Sequence, residues 1–125
     1  MKLGQISDNR FHAALNRLSS QMLPLRAAFK IKGMAAKIAE EFKKYEEVRQ
    51  IALNKYGNKT AEGKLDIDEN QQVRFSAENS AAFAEELNAL NLVEVEISTI
   101  KLSELGETLL MSADDIAALG DLLAE

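Results

Sequence analysis

Residues 25–56 read LRAAFKIKGMAAKIAEEFKKYEEVRQIALNKY, and the apolar side chains in this stretch recur at helical rather than strand spacing. Leu25, Phe29, Ile31, Met34, Ile38, Phe42, Tyr45, Val48 and Ala52 are separated by lysines, arginines and glutamates. Ile31, Ile38, Tyr45 and Ala52 fall seven apart, and Met34 and Val48 take intermediate heptad places; Glu41 interrupts that second set, with Phe42 beside it. The pattern predicts one long amphipathic helix. Gly33 weakens it by about 1 kcal/mol relative to alanine, so a bend or a division into two shorter helices would fall there. Gly57 and Asn58 follow the last periodic residues, where a left-handed helix ending is expected.

Working outward toward the N-terminus, Phe11, Leu15, Leu18 and Met22 lie on one helical stripe, predicting a helix over Asp8–Met22 with Ser7 as N-cap. Pro24, the only proline, ends it and suits the first turn of the long helix. Two consecutive helices joined by so short a turn predict an antiparallel pair. Toward the C-terminus, Gly57–Gly63 is polar and turn-rich, and Leu65 with Ile67, then Val73 with Phe75, alternate across Asp68-Glu69-Asn70-Gln71 as a β-hairpin would. A helix is expected from Ser76 or Glu78 to Leu90, burying Ala82, Phe83, Leu87 and Leu90. Val93, Val95 and Ile97 then read as a strand, and the parity change at Ile100 and Leu102 calls for a bulge near Ser98-Thr99. Ser112 and Asp115 form a capping-box-like pair opening a last helix whose buried stripe is Ile116, Leu119, Leu122 and Leu123. The expected fold is a single α+β domain over residues 1–125, with the helical pair packed against a small antiparallel sheet and two further short helices.

Bulk properties narrow the function. The 125 residues carry no cysteine, which excludes disulfides, thiolate zinc sites, iron–sulfur clusters and cysteine nucleophiles. No apolar run reaches the length of a membrane span and the first residues lack an apolar signal core, so a soluble cytoplasmic protein is expected, with no membrane partner. The formal net charge is −5. Its distribution matters more: all fifteen basic residues except Arg74 and Lys101 precede Leu65, and most of the twenty acidic residues follow it. Such a two-faced chain can pack its halves together or pair with another copy.

The motifs of chemistry are missing. His12 is the only histidine and has no sequence-defined acid or serine partner, so it reads as a helix-surface residue near Asp8. Glu40, Glu41, Glu46 and Glu47 alternate with Lys43, Lys44 and Arg49 as a solvated, locally compensated helix face. Asp66, Asp68 and Asn70 faintly match a calcium loop, but Gln71 stands where glycine is required and Ala77 where glutamate is, so this segment reads as the hairpin turn. No phosphate-binding glycine loop occurs. No catalytic residue, cofactor, metal or small-molecule substrate is therefore expected. Arg17, Arg26, Lys30, Lys32, Lys37, Lys43 and Lys44, interleaved with Phe29, offer a second reading, a nucleic-acid-associated regulator or an inhibitor of a host protein that uses this basic helical half, without any recognition fingerprint.

A helix of some 30 residues spans about 45 Å, more than a domain of this size easily covers. Part of it is expected to meet a second molecule, and Phe29, Met34, Ile38, Phe42 and Tyr45 are the candidate contacts. The competing reading is that this stripe is core.

The ordered pattern Ala14-Leu15-x-x-Leu18, Phe42-Lys43-Lys44-Tyr45-Glu46-x-x-Arg49-x-x-Ala52-x-x-Lys55-Tyr56-Gly57 and Phe83-x-x-Glu86-Leu87 resembles small uncharacterised proteins encoded in phage and prophage genomes. The closing runs Val93-Glu94-Val95-Glu96-Ile97, Ile100-x-Leu102-Ser103-Glu104-Leu105 and Leu110-x-Ser112-Ala113-Asp114-Asp115-Ile116 are similar to the same group. The resemblance implies a non-enzymatic accessory or assembly protein of the host cytoplasm, acting through protein contacts or self-association. It carries over no functional residue, because the shared motifs are packing and capping patterns.

Overall fold

The computed structural model describes residues 1–106 and 109–124, and in it the long helix is a single piece. Helices α1 (Leu3–Ile6), α2 (Asn9–Ser19) and α3 (Leu25–Tyr56) come first, followed by α4 (Ala77–Asn91), β1 (Ile100–Lys101), α5 (Ala113–Leu119) and β2 (Leu123–Ala124). Short 3₁₀ turns occupy Leu102–Leu105 and Gly120–Leu122. α3 runs through Gly33 without a break. A glycine there costs only about 1 kcal/mol, while Ala27, Ile31, Met34, Ile38 and Tyr45 anchor the helix to the core on both sides of it.

Both ends of the helical pair differ from the sequence expectation. Asp8, not Ser7, caps α2, its carboxylate accepting from the Arg10 N–H at 2.9 Å. Ser7 instead closes α1, its hydroxyl donating to the Gly4 carbonyl at 2.9 Å. That first helix had no periodic signal because it is one turn long. α2 stops at Ser19, so Phe11, Leu15 and Leu18 are buried while Met22 leaves the stripe and is 88% exposed. At the far end of α3, Gly57 is extended (φ −66°, ψ 147°) rather than left-handed. Its missing side chain serves space instead: a Cβ there would stand 2.7 Å from the Leu53 carbonyl oxygen and from Leu65 and Val73.

α2 and α3 are antiparallel, as expected. The His12 ring lies 4.6 Å from that of Phe42, and Leu15 and Asn16 line the same groove as Ala35 and Ile38. α4 is capped by Ser76 and runs back along the C-terminal half of α3, with the Asn79 side-chain amide donating to the Tyr56 carbonyl at 3.1 Å. Its expected inner stripe, Ala82, Phe83, Leu87 and Leu90, is only half-buried. Likewise Ile116 of α5 is 36% exposed while Leu119 and Leu122 are buried.

The sheet is parallel, not antiparallel. β1 and β2 pair in register Ile100 with Leu123 and Lys101 with Ala124, because the chain between them returns through α5 before re-entering alongside β1. The expected hairpin forms only isolated antiparallel bridges, Lys59 with Leu65 and Ile67 with Val73. Its backbone bonds are shared among three limbs: Asn58 N–H donates to Arg74, Arg74 to Asp66, and Asp66 to Asn58. No two limbs are therefore free to continue a ladder. The segment after α4 likewise pairs with the N-terminus, Leu3 N–H donating to Val93 and Val95 N–H to Met1.

The most deeply buried large side chains, Ile6, Phe11, Leu18, Ile38, Ile100, Leu105, Leu119 and Leu122, gather around the first half of α3. Beyond Tyr45 only Leu53 of α3 is buried, so the helix leaves the main core behind and is covered thinly by α4 and the three-limbed turn.

Charge also joins the two halves. Arg17 pairs with Asp115, Lys30 with Glu104, Lys55 with Glu86 and the amino terminus with Glu94. Most of these sit in solvent and add little. The Arg17–Asp115 pair is the shielded one: both guanidinium nitrogens reach the carboxylate, Nε at 2.7 Å, and Asp115 is buried. Ser112 accepts from the Asp115 N–H at 3.1 Å, so the cap is half of a box and the Asp115 carboxylate clamps α5 to α2 instead of closing it.

Hydrogen bonding to Arg17 holds the Asp115 carboxyl below its ordinary value of 3.8, against the opposing effect of desolvation. A carboxyl lowered on folding contributes stability that is present above its unfolded value and is lost as pH falls through the folded one. Asp115→Asn should therefore flatten the acid limb of the stability profile below about pH 4. Thermal melts of both proteins between about pH 2 and 6 test this, and parallel acid limbs would contradict it.

Candidate interaction surface

Pro24 opens α3 at a rim of the molecule where Ala27 packs into the core while the outward side of the first turn is uncovered. Leu25 is 89% and Phe29 82% exposed, and Met22, in the turn just before the proline, is equally bare. A second segment arrives at the same place. The Leu110 N–H donates to the Gln21 side-chain oxygen at 3.1 Å, and Gly106, at φ +85°, passes the Pro24 ring. Leu110 is 80% exposed. Four large apolar side chains from two chain segments thus form one tip, unlike the single scattered apolar residues normal on a surface.

The tip is set in positive charge. From Pro24 to Ala39 the helix holds Arg26, Lys30, Lys32 and Lys37 and no acidic residue. Lys30 lies 2.5 Å from Glu104, and Lys37 3.1 Å from Glu41. Among the described residues Arg26 and Lys32 form no ion pair and are exposed beside Leu25 and Phe29.

Of the five candidate contact residues, only Phe29 stands free. Met34, Ile38 and Tyr45 are core residues, 3%, 1% and 6% exposed. Phe42 is half-buried, its ring between His12 and Tyr45. The stripe is therefore core over most of its length, and the surface is a different set of residues: Met22, Leu25, Phe29 and Leu110. The heptad that places Ile31, Ile38 and Tyr45 in the core leaves Leu25 and Phe29 outside it, on the opposite side of the helix, and Leu110 has no local signal.

The other candidate chemistries fare differently. His12, expected on the helix surface, instead has its Nε2 buried, with the ring against Phe11 and Phe42 and no hydrogen-bond partner among the described residues. In the cleft between α2 and α5, Arg10 is paired with Asp8 and Arg17 with Asp115. The Asp68 carboxylate accepts from the Asn70 and Gln72 N–H groups at 2.8 and 3.0 Å, closing the turn in which Gln71 adopts φ +63°. Among the described residues no three histidines, aspartates or glutamates are grouped to hold a metal ion. Of the proposed nucleic-acid cations, Arg17, Lys30, Lys37 and Lys44 are already ion-paired. No described helix is long and apolar enough to cross a membrane.

No protein-family model matches the chain, and no curated protein or solved structure does so significantly.

Proposed function

We propose that this is a non-enzymatic protein that works by binding protein, through the apolar tip at the start of α3. The observation that carries the reading is the tip itself: four large apolar side chains, each at least 80% exposed, converging from two segments. Leaving such a cluster in water forgoes the burial that drives folding, at roughly 25 cal/mol per Å². A partner that covers it recovers that free energy. An accessory or assembly role in a host cytoplasm is the setting that the resemblance to phage-encoded proteins implies for this binding. The nucleic-acid reading has less behind it, since the ion pairs of α3 neutralise half of its cations.

A photo-reactive phenylalanine analogue at position 29 tests the proposal. Irradiation in phage-infected cells is expected to give a discrete protein adduct, while the same analogue at exposed Glu62 gives none. No adduct at position 29, or equal labelling at both positions, would reject it.

A further inference from the structure

A second apolar feature lies about 28 Å farther along α3, counting 19 residues from Phe29 to Val48 at 1.5 Å each. Here α4 covers the long helix incompletely and leaves a groove of about 360 Å³. Val48 and Ala52 of α3, Leu87, Ala89 and Leu90 of α4, and Val93 line it. Val48 is 47% and Val93 46% exposed, and Ile51 and Leu92 beside them 67% and 63%. Among the described residues the charged groups lining it are Arg49 and Glu86, and Glu86 is engaged by the Tyr56 hydroxyl at 2.9 Å and by Lys55 at 3.4 Å.

The two features match in shape and in charge. Leu25 and Phe29 stand one helical turn apart, the spacing with which a helix places anchors in an apolar groove. The helix bearing the tip has four cations and no acid between Pro24 and Ala39. The helix forming the groove's outer wall, α4, has Glu78, Glu85 and Glu86 and no lysine or arginine; Glu86 is paired with Lys55, while Glu78 and Glu85 form no ion pair among the described residues. The unpaired cations beside the tip, Arg26 and Lys32, thus have unpaired counterparts in Glu78 and Glu85 of α4.

We infer that the occupant of the groove is the tip of a second copy of this chain, with Leu25 and Phe29 inserted between α3 and α4 and Arg26 and Lys32 facing Glu78 and Glu85 of α4. The inference rests on the protein-binding reading above and names its partner. Tip and groove are different surfaces, so the contact is head-to-tail: it leaves a free tip at one end of every pair and a free groove at the other, and it propagates into a chain or closes into a ring.

Complementation between two variants tests this. Leu25→Glu with Phe29→Glu removes the tip at exposed positions in the first turns of α3, where the helix dipole favours acid. Ala89→Arg fills the groove from an exposed position of α4. By light scattering after size exclusion, the wild-type mass should exceed 13.8 kDa and rise with concentration. Each variant alone should stay at 13.8 kDa, and an equimolar mixture should give a species of twice that mass that grows no further. Circular dichroism checks that the variants fold; if Ala89→Arg loses its helical spectrum, Val93→Arg replaces it.

A wild-type monomer at every concentration overturns the inference. So does a mixture that recovers no dimer, or an Ala89→Arg protein that still self-associates. Vesicles containing phosphatidylglycerol that sediment the monomer, and fail to do so with the tip variant, would give the tip to a membrane surface instead. If the chain is monomeric but position 29 still cross-links to a different protein, only the occupant assigned here falls and the protein-binding reading stands.

Discussion

Gly57→Ala will destabilise the protein by about 2 kcal/mol, whereas Gly33→Ala in the same helix will stabilise it by up to about 1 kcal/mol. The two substitutions add the same methyl group to the same element. Within a helix, alanine is favoured because glycine gives up more backbone freedom on folding, and at Gly33 a Cβ meets nothing within 4 Å. At Gly57 the backbone is extended at a negative φ that alanine also adopts, so conformational strain is not the obstacle. The obstacle is contact at 2.7 Å with Leu65, Val73 and the Leu53 carbonyl. The two side chains can turn away at the expense of the three-limbed turn, but the carbonyl belongs to the last turn of α3 and cannot. Overpacking of this kind costs about 1 to 3 kcal/mol, which exceeds the roughly 0.4 to 1 kcal/mol gained by restricting the unfolded chain. Urea unfolding of the three proteins at one temperature gives both signs. A Gly57→Ala midpoint at or above wild type would mean that the turn does not close on the helix end as described.

The same glycine illustrates what the sequence could and could not convey. That α3 ends at Tyr56 was legible, because the apolar period stops there and a glycine follows. The reason for the glycine was not, since it depends on Leu65 and Val73, which fold back from eight and sixteen residues away. Helix caps drawn from local hydrogen bonding were read well at Ser76 and Ser112 and missed by one residue at Asp8. The sheet was misread because period-2 alternation marks extended backbone without naming its partner. Val93–Val95 pairs with the first three residues, and Ile100–Lys101 with the last described ones. Both are non-local choices. The interaction surface suffered most: a helix reports which residues share a face, but Leu110 reaches the tip only through a bond to Gln21, 89 positions away.

Ile38→Ala will cost about 3 kcal/mol and lower the melting temperature by about 10 °C, while Phe29→Ala will leave both nearly unchanged. Both are large apolar side chains of one helix, but nine residues of separation put them on opposite faces of it. Ile38 is 1% exposed, seated where α2 crosses the first half of α3 beside Leu15, so truncation removes buried methyl groups and leaves a cavity in the core. Phe29 is 82% exposed and has almost no burial to lose. For a domain whose net stability is on the order of 10 kcal/mol, the first change removes about a third of it. The second should act only on association: the Phe29→Ala protein should melt like wild type and sit closer to the monomer mass at equal concentration. Melting curves and light scattering on the two variants separate core from contact surface. Equal losses of stability would place Phe29 in the core, and a Phe29→Ala protein of unchanged stability and unchanged association would remove it from the interface.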